Sequence, residues 1–424
     1  VGFCIGGFSL FLALIALKAY KSIFNPTTFF CGLWSIICVF SQLKLFGFIG
    51  GSTYVYILIG IGVFCFALGS LYTMQRRRGV KVSFGSLKYG TDLHSSDAPN
   101  YKILWLMMLV VVGYTSIKLY RAMPYLLMNN SMGYVRLKYL EVGAGITINA
   151  ADYFVNTFFI TGFRLACEVI IINELIARRE VNKFLVCLLI LAIGMNVMLS
   201  GGRMILFDLA TYALFSIKLN GFKRKWKLNL WQKLLLIVSA LIVVYVVVFL
   251  TMDRQRDISV FQSIYGNFFG GVSLMTTIIE NVVKDNWTWG TMFSYGVLSV
   301  LFLPLNVFLK IPYPHSFEIY ADIVSPFYNV GATTMNAYTT CWTFFYTDFR
   351  IIGVVVFSLF FGVIAAKSFN RFREKRNAAS ICLYMIMLNI MLYSMIRWQL
   401  CNSSYLLALA IIPHLYKRNK EEQR

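Results

Sequence analysis

Uncharged apolar runs recur along the whole of this 424-residue chain, and that feature leaves little freedom of fold. A helix needs about 20 apolar residues to cross the hydrocarbon of a bilayer, and inside it every backbone amide must find its partner within the protein. The chain therefore reads as an all-α polytopic integral membrane protein. Apolar windows fall at 1–17, 28–48, 55–73, 102–120, 151–176, 184–200, 204–218, 233–251, 351–367, 380–396 and 403–416. A further pair at 258–281 and 291–309 brings the expectation to about 11–13 transmembrane helices in a single transmembrane domain, 1–424. The first apolar stretch lacks a basic leader and a small-residue cleavage site, so no cleavable signal peptide is expected.

Charge orients the spans. A net charge of +21 would suggest nucleic acid in a soluble protein, but here it sits in short loops between apolar runs, so no nucleic-acid partner is expected. Arg76-Arg77-Arg78, Arg178-Arg179, Lys223-Arg224-Lys225, the 371–376 cluster and Lys417-Arg418 all fall on one side of the alternation. The positive-inside rule makes that face cytoplasmic and puts the C-terminus inside. Loops 50–54, 124–150, 200–203 and 397–404 are then external. Within 252–350, two crossings would place Lys284-Asp285 inside, ahead of an outer loop of about forty residues. Pro304, Pro312, Pro314 and Pro326 favour broken helices there, and a rim-lying or re-entrant path is the other possibility. Segment 121–150 mixes apolar, aromatic and basic residues, as a helix lying in the outer interface would.

Several chemistries find no support. The nine cysteines include no C-x-x-C pair, and Cys4, Cys31, Cys38, Cys65, Cys187 and Cys382 lie inside apolar spans as small hydrophobes. Neither a disulfide framework nor a metal site is expected. Nucleotide-binding and zinc-protease motifs are missing from the sequence.

What remains is a set of arginines on the face that basic residues normally avoid. Arg203 follows Gly201-Gly202 at a hairpin tip, where free amides and a guanidinium fork suit a phosphate. Arg254 and Arg256 leave the following outward span, flanked by Asp253 and Asp257. Arg397 stands at another outer helix end, and Arg164 lies within a span, where a charge is costly. The plain alternatives are snorkelling to headgroups and local ion pairs. The outer segment also carries His315, Glu318 and Asp322, with Asp348 at the mouth of the next span. Each could take a proton from a hydroxyl, although a solvated loop would hold such residues anyway and Asp348 could complement a helix dipole.

This pattern resembles the oligosaccharide repeat-unit polymerases, the Wzy-type O-antigen and capsule polymerases of bacteria. The resemblance rests on Gly201-Gly202-Arg203, on the arginine-rich exit of the next outward span, on Gly331-Ala332-Thr333-Thr334-Met335-Asn336-Ala337-Tyr338-Thr339, and on Tyr346-Thr347-Asp348-Phe349. Members often carry Gly after Asp-Phe, where this chain has Arg350. The resemblance implies a fold similar to C-type membrane glycosyltransferases and O-antigen ligases, with 252–350 as a large outer catalytic segment. It implies a donor glycan on undecaprenyl pyrophosphate, a lipid-linked repeat unit as acceptor, and transfer at the external face of the cytoplasmic membrane. A chain-length regulator protein is the further partner, and no cofactor is called for. In that scheme Arg203, Arg254 and Arg256 neutralise the departing pyrophosphate, and one of His315, Glu318, Asp322 or Asp348 serves the acceptor hydroxyl. Asn336, Tyr338, Arg397 and Arg164 contact substrate, and Trp287, Trp289, Tyr313 and Tyr320 offer rings for sugar faces. A glycan ligase or a flippase of lipid-linked oligosaccharide are the competing expectations.

Overall fold

The computed structural model describes residues 1–76, 98–129, 132–143, 145–177, 181–202, 204–221, 259–284, 286–331 and 333–416. Among these, eight helices are long and apolar enough to cross a membrane, with three shorter apolar ones beside them. The protein is thus an all-α, multi-pass membrane protein. The expected span at 233–251 lies outside the described residues. Two compact units divide the chain: 1–93 with 264–406, and 94–263 with 407–424.

The first unit begins with α1 (Gly2–Tyr20), α2 (Pro26–Gln42) and α3 (Thr53–Gln75). Local chemistry marks their ends. Asn25 caps α2 by accepting the Thr28 amide, with Pro26 at the first helical position, and Ser52 accepts the Val55 amide to start α3. Lys21 leaves α1 in a left-handed conformation (φ 49°). The second unit holds α4 (Tyr101–Asn129), α5 (Met132–Leu140), α6 (Ala150–Ala177, with a π-helical stretch Val155–Ile160), α7 (Lys183–Ser200) and α8 (Met204–Leu219).

Segment 121–150 departs from a single interfacial helix. Its first residues prolong α4 through Pro124 to Asn129, and α5 packs back through Val135 and Tyr139 onto Ala122, Ile146 and Leu199. A buried polar knot fastens it. Lys118 ion-pairs with Asp152 and donates to the Ile146 carbonyl at 2.9 Å, while Arg121 stands 3.8 Å from the same carboxylate. A lysine 1% exposed is tolerated only with such partners.

The remainder of the first unit corrects the expected path of 252–350. The described part of the expected span 258–281, from 259 on, is not one long helix but two short ones, α9 (Val260–Phe269) and α10 (Gly271–Ile278), continued by a π turn, Ile279–Val283. They lie along the end of α2 and α3 that residues 43–52 join. Tyr265 receives the Leu45 amide at 3.3 Å, Ser273 that of Gly50 at 3.1 Å, and Thr276 that of Ser52 at 3.0 Å. Lys284 stays at that end as well: its carbonyl accepts Arg350, which packs on Tyr346, and Tyr346 is bonded to Tyr54 at the start of α3. The Lys284 turn therefore does not lie at the opposite, basic end. Free backbone amides of the 43–52 connection, paired with hydroxyls on α9 and α10, hold the segment along the rim.

Next come α11 (Thr291–Leu309), α12 (His315–Val324) and a two-residue antiparallel hairpin, β1 (Tyr328–Asn329) with β2 (Thr334–Met335). The Ile49 amide donates to Val330, which ties this hairpin to the 43–52 connection. Then follows α13 (Thr340–Lys375), whose 36 residues are really two helices joined at Phe349 (φ −141°, ψ 28°) and Arg350 (φ 55°, ψ −135°). Contacts with α3 show the direction of each part. Trp342 lies against Gly62 and Tyr346 against Tyr54, so the first part climbs toward the start of α3. Beyond the kink, Leu359 meets Gly69 and Asn370 bonds to Thr73, so the second part descends alongside α3. The expected forty-residue outer loop thus ends in a buried half-helix. Last are α14 (Ala378–Leu392) and α15 (Ser403–Leu415), of which residues 407 onward belong to the second unit. Phe30, Trp34, Phe66, Trp342 and Phe361 form the aromatic centre of this unit, with Phe30 and Phe66 stacked at 3.9 Å.

Candidate functional site

The connection between α14 and α15 does not reach the end of the bundle. At about 1.5 Å per residue, the 13 residues of α15 give roughly 20 Å, short of the ~30 Å hydrocarbon. Ser394 in this connection receives the indole N–H of Trp34, the middle residue of α2. Trp398 packs edge-on against Phe361 and donates to the Phe293 carbonyl at 2.9 Å. Arg397, held between these two anchors, is therefore sunk below the rim.

Its surroundings explain how a charge can persist there. Tyr320, Cys401 and Tyr338 are the groups whose electrostatics act on its guanidinium, and the Tyr320 hydroxyl stands 3.9 Å from the Cys401 sulfur. Burial works against its charge, and Tyr320, Cys401 and Tyr338 act in the opposite sense, so that it titrates above its ordinary value once those groups can ionise. Burial also pushes the Tyr320 phenol well up and the Cys401 thiol to about 11, so both neighbours are neutral at pH 7. No carboxylate pairs with Arg397 among the described residues. A half-buried cation with neutral hydroxyl neighbours is a site suited to an anion.

Four features bring these groups together. Tyr320 is fixed on α12 by stacking on Tyr295 at 3.7 Å. Tyr338 sits in a strained three-residue turn, where its amide donates to the Asn336 carbonyl across Ala337 (φ 62°). The Thr340 amide (φ 71°) then donates to Ile396, next to Arg397. Gly271 makes the close approach possible: a Cβ there would stand 2.8 Å from the Met395 carbonyl and 2.9 Å from that of Tyr338.

The expected site residues divide accordingly. The Thr340–Ile396 bond brings the segments of Tyr338 and Arg397 together, and Asn336 supports the turn by donating to the Ser325 carbonyl at 3.1 Å. His315 and Glu318 pair with each other at 2.7 Å on the exposed side of α12, with Asp322 one turn further on. Tyr320 lies two residues from both Glu318 and Asp322, roughly 200° around the helix, so the acidic face turns away from Arg397. Asp348 is no free base. Fully buried, it accepts the Thr288 hydroxyl at 2.6 Å and the Met292 and Phe293 amides at 2.9 and 2.8 Å, which caps α11 from a different helix. Arg164 belongs to the second unit and is already compensated, by Glu168 one turn along α6 at 2.7 Å. Arg203, Arg254 and Arg256 lie outside the described residues. Ahead of Arg203, Gly201 closes α7 in the left-handed region (φ 53°).

Sequence reasoning passed over Arg350. Its guanidinium lies 5.1 Å from the Trp287 ring centre and 5.3 Å from that of Tyr346, and donates to the Lys284 carbonyl. Among the described residues its Nη1 is buried without a hydrogen-bond partner. The signal was present: Arg350 is one more arginine on the sparsely basic face, at a position whose φ of 55° would suit glycine. No family model, curated protein or solved structure matches this chain.

Proposed function

We propose that this protein is a membrane transferase that polymerises polyprenyl-pyrophosphate-linked oligosaccharide repeat units, acting at the external face of a bacterial cytoplasmic membrane. One observation carries the reading. Among the described residues Arg397 has no carboxylate partner, and it lies recessed below the rim, near phenols that can donate to a phosphate. Developing negative charge on a departing pyrophosphate is what such a preorganised donor stabilises. Arg350, bracketed by Trp287 and Tyr346, supplies a second cation together with rings of the kind that stack on sugars. In this reading Arg203, Arg254 and Arg256 complete the anion site.

The test is extension of purified polyprenyl-pyrophosphate repeat units into a ladder. Arg397→Ala should slow extension by about 10²–10³-fold, the usual loss when one such donor is removed. Arg203→Ala should behave in the same way. Lack of extension by wild type with verified substrate would sink the enzyme reading, and a single transferred chain would identify a ligase.

A flippase is favoured by a different observation. Arg164 with Glu168 is a charged pair inside a candidate span, as transport proteins often carry. Transport of labelled lipid-linked oligosaccharide across vesicles containing only this protein would select that reading.

A further inference from the structure

At the basic end of the first unit, far along α3 and α13 from Arg397, lies a cavity of about 790 Å³. Its lining comprises Arg76, Lys367, Arg371 and Glu374, with Tyr72, Thr73, Val363 and Asn370. Three cations thus face one acid. Arg76, Lys367 and Arg371 make no side-chain hydrogen bond or ion pair among the described residues. The cavity wall is nonetheless fixed, because buried Asn370 donates to the Thr73 carbonyl at 3.2 Å and clamps the two helices together.

The lining is graded. Val363, Lys367 and Arg371 follow one another at four-residue intervals, so they form one stripe down α13, apolar above and cationic below. Across from them, Tyr72 presents a ring 67% exposed, one turn above Arg76. A soluble anion would use the lower half only. A phosphate carrying an apolar tail would use both.

We infer that this cavity is a binding site for a phosphate group, borne by an anionic membrane lipid, with Lys367, Arg371 and Arg76 as its ligands. The inference is independent of the proposed transferase activity, since no residue is shared with the Arg397 site.

The experiment follows thermal unfolding of the full chain in neutral detergent while phosphatidylglycerol, phosphatidylcholine of the same chains, glycerol phosphate or inorganic phosphate is added. Phosphatidylglycerol should raise the midpoint saturably and phosphatidylcholine should not. In Lys367→Gln/Arg371→Gln the half-saturating concentration should rise about thirty-fold, the equivalent of ~1 kcal/mol for each cation removed. The charge-keeping pair Lys367→Arg/Arg371→Lys should retain the response, which separates loss of the site from loss of the fold. An equal response to glycerol phosphate or inorganic phosphate, with the same sensitivity to the double variant, would assign the site to a soluble phosphate. The inference is overturned if no phosphate compound stabilises the protein, or if the double variant responds as wild type does. It is equally overturned if Lys18→Gln, on the same basic face but outside the cavity, weakens the response as much.

Discussion

At the scale of single residues, Arg350 and Asp348 show how this fold uses charge. Arg350 occupies a conformation that costs a non-glycine residue ~1–3 kcal/mol, and its contacts with Trp287, Tyr346 and the Lys284 carbonyl hold it there. Arg350→Ala loses those contacts and keeps the strain, whereas Arg350→Gly loses both. The glycine variant should therefore be the more stable of the two by ~1–2 kcal/mol in thermal or denaturant unfolding. The reverse order would show that φ at this position is not strained. If Arg350 also binds substrate, both variants lose extension activity alike, whatever their stability. Asp348 acts through backbone. Replacing it with alanine leaves the Thr288 hydroxyl and two amides of α11 unpaired in a buried setting, at a cost of about 2–4 kcal/mol. Asp348→Asn, which keeps an acceptor, should recover part of that stability in the same unfolding measurement. Unchanged stability in the alanine variant would reopen a catalytic role for this carboxylate.

Among elements, the decisive pairing is α3 with the descending part of α13. Their backbones touch: a Cβ at Gly69 would stand 2.3 Å from the Leu359 carbonyl, and one at Gly362 would stand 2.2 Å from that of Phe66. Helices in a bilayer associate through close packing rather than through expulsion of water, so small residues at such contacts matter most. Gly69→Leu or Gly362→Leu should drive the pair apart and lower the yield of monodisperse protein sharply. Gly113→Leu, where no atom lies within 4 Å of the added Cβ, should leave yield unchanged. Equal yields for all three would mean that this contact is dispensable. The same pairing sets the short climbing half-helix, because Trp342 fits against Gly62 only when α3 stands this close.

For the whole molecule, the path of the chain decides which residues share a face. Cysteines introduced for Ile49 and Lys284 should be labelled by an impermeant maleimide from one side of the membrane, and one introduced for Arg371 from the other. Labelling of positions 284 and 371 from a common side would restore a crossing at 258–281 and overturn the rim path of α9 and α10. Each of these positions is exposed, so accessibility to the reagent depends on sidedness rather than burial.

The class of this protein was legible in its sequence because hydrocarbon imposes one rule on every spanning segment: long, apolar and helical. Thr291–Leu309 matched its apolar window to the residue, and Asn25-Pro26 announced the start of α2 through capping chemistry that is local. Arg397 and Tyr338 could be named as candidates from type and position, but their meeting could not, since it depends on a short α15, on Gly271 and on backbone strain at Ala337. Nor could hydropathy distinguish a crossing from two rim helices, because an apolar face is satisfied equally by lipid or by protein. The choice for Asp348 between a base and a helix-end acid stayed open in the sequence for the same reason. A carboxylate's role depends on which donors surround it, and here these come from residues about sixty positions away. Local sequence therefore set where helices form and which face is basic, while contacts between distant segments decided which charges are spent on the fold and which, like Arg397, remain open to a ligand.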